Sequence, residues 1–144
     1  MKQNTENTNA FLIHISAFAG LIFPFGNIIT PLVAWQTLKD RSPFLDEHGK
    51  EAINFNISYA LYFLIFSVFA SSFFIGDFFR NFNGFNSHNH FNFHVDTENI
   101  FGFLGLGSVA GIVYLIGMAL VIIAALKAKE GESYKYPFTI QFIK

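Results

Sequence analysis

The stretch AINFNISYALYFLIFSVFASSFFIG, residues 52–76, carries no Asp, Glu, Lys or Arg over its 25 positions. A hydrocarbon core about 30 Å thick is crossed by about 20 helical residues, so this window is long enough. Thirteen of its residues are strongly apolar, from Ile53 and Phe55 through Phe74 and Ile75. At roughly −0.3 to −0.6 kcal/mol each, they favour insertion by about 4–8 kcal/mol, an upper bound because the scale applies at the helix centre. Soluble core helices lack this profile. The window predicts a transmembrane helix.

Two further windows are equally free of formal charge: Ala10–Leu38 with 29 residues and Asn99–Leu126 with 28. The whole chain of 144 residues is 52% hydrophobic and only 13% charged, against roughly 25% charged in a soluble domain. Its net charge of −1 offers no basic field for nucleic acid. The absence of cysteine excludes disulfides, thiolate metal sites and a cysteine nucleophile. The expectation is one all-α membrane domain over residues 1–144, with the lipid bilayer as its first partner. A polar N-terminal tail (1–9), an Asn/Phe/His-rich loop (77–98) and a C-terminal tail (127–144) would flank the apolar segments.

The first window is too long for one straight span, since 29 helical residues reach about 44 Å. Phe23-Pro24-Phe25-Gly26-Asn27 lies in its middle and Pro31 follows. Proline removes a backbone donor and disfavours helix at the preceding residue, while Gly and Asn accommodate turns. The window therefore divides into Ala10–Phe23 and a piece from Ile28 to Leu38. Pro24, Gly26, Asn27 and Pro31 mark the break. Two geometries remain open: a single broken span, or a helical hairpin. A cleaved signal peptide, suggested by Ala17-Phe18-Ala19, is disfavoured by Glu6 and by His14 within a short apolar run.

Loop charges orient the chain. Lys39, Arg41 and Lys50 lie in the first connection, and Lys127, Lys129, Lys135 and Lys144 in the tail, whereas residues 77–98 hold only Arg80. The positive-inside rule places the first connection and the C-terminus in the cytoplasm and the 77–98 loop outside. Trp35, Tyr134 and Tyr136 suit the cytoplasmic interface.

Ser42 is a natural N-cap and Pro43 suits the first helical position. From there Glu47, Glu51, Asn54, Ser58 and Tyr62 follow steps of four, three, four and four, a single stripe on a helix entering the membrane. Lipid cannot satisfy their hydrogen bonds, so the stripe faces protein or water. It reads either as a polar passage or docking surface, or as a hydrogen-bonded contact holding the helix against Pro24–Pro31. His48 and Glu51 read as an interfacial hydrogen bond or a proton-handling pair, and His14 needs a partner within the bundle.

In the outer loop His88, His90 and His94 are weak candidates for a zinc or copper site, because no single regular element presents all three together. Gly107-x-x-x-Gly111 permits close helix packing, within the bundle or between copies. No phosphate loop, nucleophile elbow, zinc-protease motif or paired-carboxylate site occurs. No enzyme and no cofactor are expected. Phe138, Ile140 and Phe142 alternate with Thr139 and Gln141, predicting an extended tail docked by its apolar side.

Pro24–Pro31, Ser42-Pro43-Phe44 with Asp46–Ser58, and Tyr136–Ile143 together resemble a bacterial membrane domain of unknown function. That domain is distantly similar to the twenty-kilodalton component of the chloroplast Tic import translocon. The resemblance implies a four-helix membrane protein with both termini on one side, and no established activity. The leading expectation is a structural or interaction module that binds a second copy or other membrane proteins. An oligomeric channel or protein-translocation component is the alternative, and metal binding by the loop histidines a second one.

Overall fold

The computed structural model describes the backbone of residues 2–88 and 97–144, and the side chains of 2–72, 100–102 and 104–144. Every regular element among them is helical: α1 (Lys2–Ile15) followed by a 3-10 segment (Ser16–Leu21), α2 (Gly26–Leu38) followed by a 3-10 turn (Lys39–Arg41), α3 (Pro43–His88) and α4 (Thr97–Glu130). Among the described residues two stretches are long and apolar enough to cross a membrane, Pro43–Ser72 and Ile100–Glu130. A small helical membrane bundle follows from composition and structure together.

The chain forms two compact units. Residues 1–60 with 115–144 make the first. Its core is built where α1, α2, α3 and α4 approach one another: Ala10, Ile13, Leu45, Ala52 and Ala128 pack together, with Ala34 and Leu38 against them. A second cluster joins Ala17, Phe55, Val121 and Ala124 to Tyr136 of the tail. Alanines at the contacts bring helices close without a hydrophobic driving force from lipid. The second unit, residues 61–114, exposes Leu64, Val68 and Phe69 on α3 and Leu104, Ile112 and Val113 on α4. An apolar surface of this kind suits hydrocarbon.

The first window is a hairpin. Ala34 and Leu38 at the end of α2 share a core with Ala10 and Ile13 of α1, so α2 runs back along α1. The turn falls at the expected residues, with Phe25 in the left-handed conformation at φ 64°. A non-glycine residue there costs about 1–2 kcal/mol, and close packing holds it in place. A Cβ on Gly26 would run into the carbonyl of Ala19, and one on Gly20 would lie 2.9 Å from Cβ of Asn27. Thr30 Oγ1 lies 2.5 Å from the carbonyl oxygens of both Ser16 and Gly26 and shares its one proton between them. Pro31 lies inside α2 and is buried, and α2 continues through it. At about 1.5 Å per residue, α1 and α2 are each about 20 Å long, short of a full crossing.

Two boundaries and one placement differ from the sequence expectation. The segment read as a polar tail, 1–9, is helical from Lys2. Its Asn7 is buried and donates to the carbonyl of Lys129 at 3.2 Å, so polarity there serves the end of α4. That end is a Schellman cap: Glu132 N–H donates to Lys127 O, Gly131 N–H to Ala128 O, and Gly131 takes φ 83°. Helix α3 runs on through residues 77–88 of the segment read as a loop, where no proline interrupts it. Trp35 and Tyr136, expected at the lipid–water boundary, are instead packed inside the first unit at 7% and 6% exposure. At the start of α3, Ser42 caps as expected, accepting the Leu45 N–H at 3.3 Å.

Candidate functional site

The polar stripe of α3 and the C-terminal tail meet along their lengths. Glu47 accepts from the Ser133 hydroxyl at 3.2 Å, and Glu51 accepts the Tyr136 N–H at 3.4 Å. Ser58 Oγ accepts the Ile140 N–H at 2.9 Å. The tail then turns, with Phe138 at φ 57°, and returns to Asn54. The carboxamide of Asn54 accepts the N–H groups of Phe142 (3.0 Å) and Ile143 (2.9 Å) and donates to the Ile143 carbonyl (2.9 Å). A tail without regular secondary structure has few backbone partners of its own, here the Phe142 N–H to the Ile140 carbonyl at 3.1 Å. The stripe supplies them.

This corrects the expected neighbour of the stripe. The long-range hydrogen bonds of Glu47, Glu51, Asn54 and Ser58 go to the tail rather than to Pro24–Pro31. Ser58 also donates to the Asn54 carbonyl of its own helix at 2.7 Å. Tyr62, the last member, lies in the second unit and is 42% exposed.

Under the tail lies a buried polar chain. Tyr136 Oη is 2.9 Å from His14 Nδ1, and His14 Nε2 is 2.8 Å from His48 Nδ1. His14 and His48 are 0% and 1% exposed. Burial pushes the Tyr136 phenol well above its ordinary value, reinforced by Tyr134 and Glu51, so it stays protonated. The arrangement that gives this phenol an acceptor has it donating to His14 Nδ1. His14 then donates through Nε2 to His48 Nδ1, and His48 carries its proton on Nε2. That Nε2 is buried without a partner in hydrogen-bond geometry among the described residues. The chain ties α1, α3 and the tail together. The Tyr136 ring also stacks on Phe55, with centroids 4.0 Å apart and planes 12° from parallel.

His14 thus has the partner it requires, and His48 bonds to it instead of Glu51. The sequence signals for this cluster were two histidines in apolar surroundings. Nothing local marked Tyr136 as their partner, 122 residues from His14.

A second polar cluster joins α2 to α3. Trp35 Nε1–H donates to Asp46 Oδ1 at 2.9 Å, and Lys50 pairs with Asp46 Oδ2 at 2.6 Å. Gly49 lies against the Trp35 ring, where any Cβ would overlap the indole. Of the remaining candidates, Gly107 and Gly111 have open faces: a Cβ at either position would meet nothing within 4 Å among the described residues. The side chain of His88 and the whole of His90 and His94 lie outside the described residues.

The chain matches a family model described as the magnetosome magnetite crystal formation protein family over residues 5–143. It matches no curated protein and no solved structure. The expected bacterial membrane family is supported at that level, and the likeness to the Tic component receives no support. The match takes in the α1–α2 hairpin, both long helices and the docked tail, and so the chain belongs to the MamF/MmsF magnetosome membrane protein family.

Proposed function

We propose that this chain is a structural and interaction module of the magnetosome membrane, contributing to magnetite crystal formation by organising other membrane components rather than by catalysis. The family description supports the setting. The observation that carries the role is the covered stripe. A polar passage through one copy needs those side chains to face water, whereas Asn54 and Ser58 are buried and hold the tail backbone. The basic residues of the first connection and the tail favour a cytoplasmic position for both, with residues 77–98 on the opposite side.

The test is replacement of the gene in a magnetite-forming cell. Loss of the chain should change crystal size or shape in electron micrographs, and photocrosslinking from Ile112 on α4 should capture a second copy or another membrane protein. Unchanged crystals, or a strict monomer in lipid with no neighbour captured, would overturn the reading.

An oligomeric channel is the second reading. The open faces of Gly107 and Gly111 favour it, since they permit close approach between helices of different copies. Absence of conductance or flux from reconstituted oligomers would remove it. Metal binding by His88, His90 and His94 rests on the sequence, and zinc affinity unchanged after their replacement by alanine would dismiss it.

A further inference from the structure

The end of α2, the 3-10 turn Lys39–Arg41 and the start of α3 enclose an open cleft of about 600 Å³. Trp35, Lys39, Arg41, Ser42, Asp46 and Lys50 line it, together with Asp40. Three cations face two carboxylates. The Asp46 carboxylate is already matched, one oxygen by Lys50 and the other by the Trp35 N–H. Lys39 places its ammonium over the Trp35 ring, 5.2 Å from the centroid. Arg41 is exposed, and none of the ion pairs among the described residues uses it. Ser42 Oγ accepts the Leu45 N–H, which leaves its own proton to donate.

The surplus charge is therefore one positive unit, displayed by Lys39 and Arg41 beside a hydroxyl donor at the N-terminus of α3. A phosphodiester matches that set in charge and in its need for several donors. The cleft begins where the uncharged first window ends at Leu38, and Ile29 and Val33 of α2 are exposed on the apolar side. We propose that this cleft is a binding site for the headgroup of an anionic phospholipid, with Lys39, Arg41 and Ser42 on the phosphate and the acyl chains along α2. A free phosphate would satisfy the donors but would leave that apolar surface unused.

Trp35 is the single tryptophan of the chain and lines the cleft, so it reports occupancy directly. The full chain would be placed in phosphatidylcholine nanodiscs containing phosphatidylglycerol brominated near its headgroup, with brominated phosphatidylcholine as the reference. Phosphatidylglycerol should quench Trp35 in excess of phosphatidylcholine at the same mole fraction. At about fivefold per basic residue near an anionic surface, Lys39→Gln with Arg41→Gln should lower the excess affinity about 25-fold. Asp40→Asn, at an exposed position, should raise it and guards against a double variant that fails to fold. Equal quenching by the two lipids, or an excess untouched by these substitutions, overturns the proposal. Displacement of the excess by inorganic phosphate would assign the site to a soluble anion and also overturn it.

Discussion

Asn54 grips Ile143 from both sides, accepting its N–H and donating to its carbonyl, each at 2.9 Å. One carboxamide thereby anchors the end of the chain to a helix 89 residues earlier. Asn54→Ala leaves the part-buried N–H and carbonyl of Ile143 without partners, while Phe142 N–H keeps the Ile140 carbonyl. Each such group costs about 1–3 kcal/mol. The tail should detach before the helices melt. Trypsin cleavage at Lys135 in detergent should speed up while far-UV helicity is retained; cleavage at the wild-type rate would refute the anchor.

Tyr136 contributes through both its ring and its hydroxyl. Tyr136→Phe keeps the stack on Phe55 and removes the hydrogen bond to His14, at a cost of about 1–3 kcal/mol from the unpaired imidazole. Tyr136→Ala also empties the ring site, and large aromatic truncations cost about 3–5 kcal/mol. Thermal unfolding in detergent should rank wild type above Tyr136→Phe above Tyr136→Ala. Equal melting of the two variants would place the whole effect in the hydroxyl.

The same phenol makes the fold sensitive to base. Its pKa lies near 10.0 in an unfolded chain and is raised in the folded state, chiefly by burial. The folded form therefore holds the proton more tightly, and its contribution is complete below pH 10. As pH rises above that value the unfolded chain loses its proton first, and stability declines. Tyr136→Phe should show a shallower alkaline decline than wild type. Parallel curves for the two proteins would contradict burial of this hydroxyl.

Gly49 lets α3 approach Trp35. Gly49→Leu forces a side chain into the indole, and overpacking of this kind costs about 1–3 kcal/mol. Emission from the single tryptophan should shift to longer wavelength as the ring is displaced. Unchanged emission and melting would show that the two helices can part without penalty.

The hairpin constrains topology, because a chain that turns back at Phe23–Phe25 returns Lys39 to the side of the N-terminus. With no native cysteine, Thr5→Cys and Ser87→Cys can be tested separately with an impermeant thiol reagent in intact cells. Protection at residue 5 with labelling at residue 87 is expected. Labelling at both would require the first window to cross the bilayer.

Much of this architecture was legible in the sequence because lipid reads composition locally. Three long uncharged stretches, the break around Pro24 and Gly26 and the Ser42 cap each announce themselves within a few residues. The apolar side expected to dock the tail does not do so: Phe138, Ile140 and Phe142 are 90%, 41% and 49% exposed, and the backbone holds the tail instead. The periodic stripe from Glu47 to Ser58 also declared that one face of α3 needed polar company, since a hydrogen-bonding group in hydrocarbon must be satisfied. Its partner was a matter for the tertiary structure alone. The tail groups that meet the stripe lie 82 to 89 residues away, and no local spacing encodes such a pairing. The choice of hairpin over broken span was likewise settled in three dimensions, where Gly20 and Gly26 admit the returning backbone. The joining of His14, His48 and Tyr136 has the same origin: buried polar atoms find partners by packing, and packing brings together residues that the sequence keeps apart.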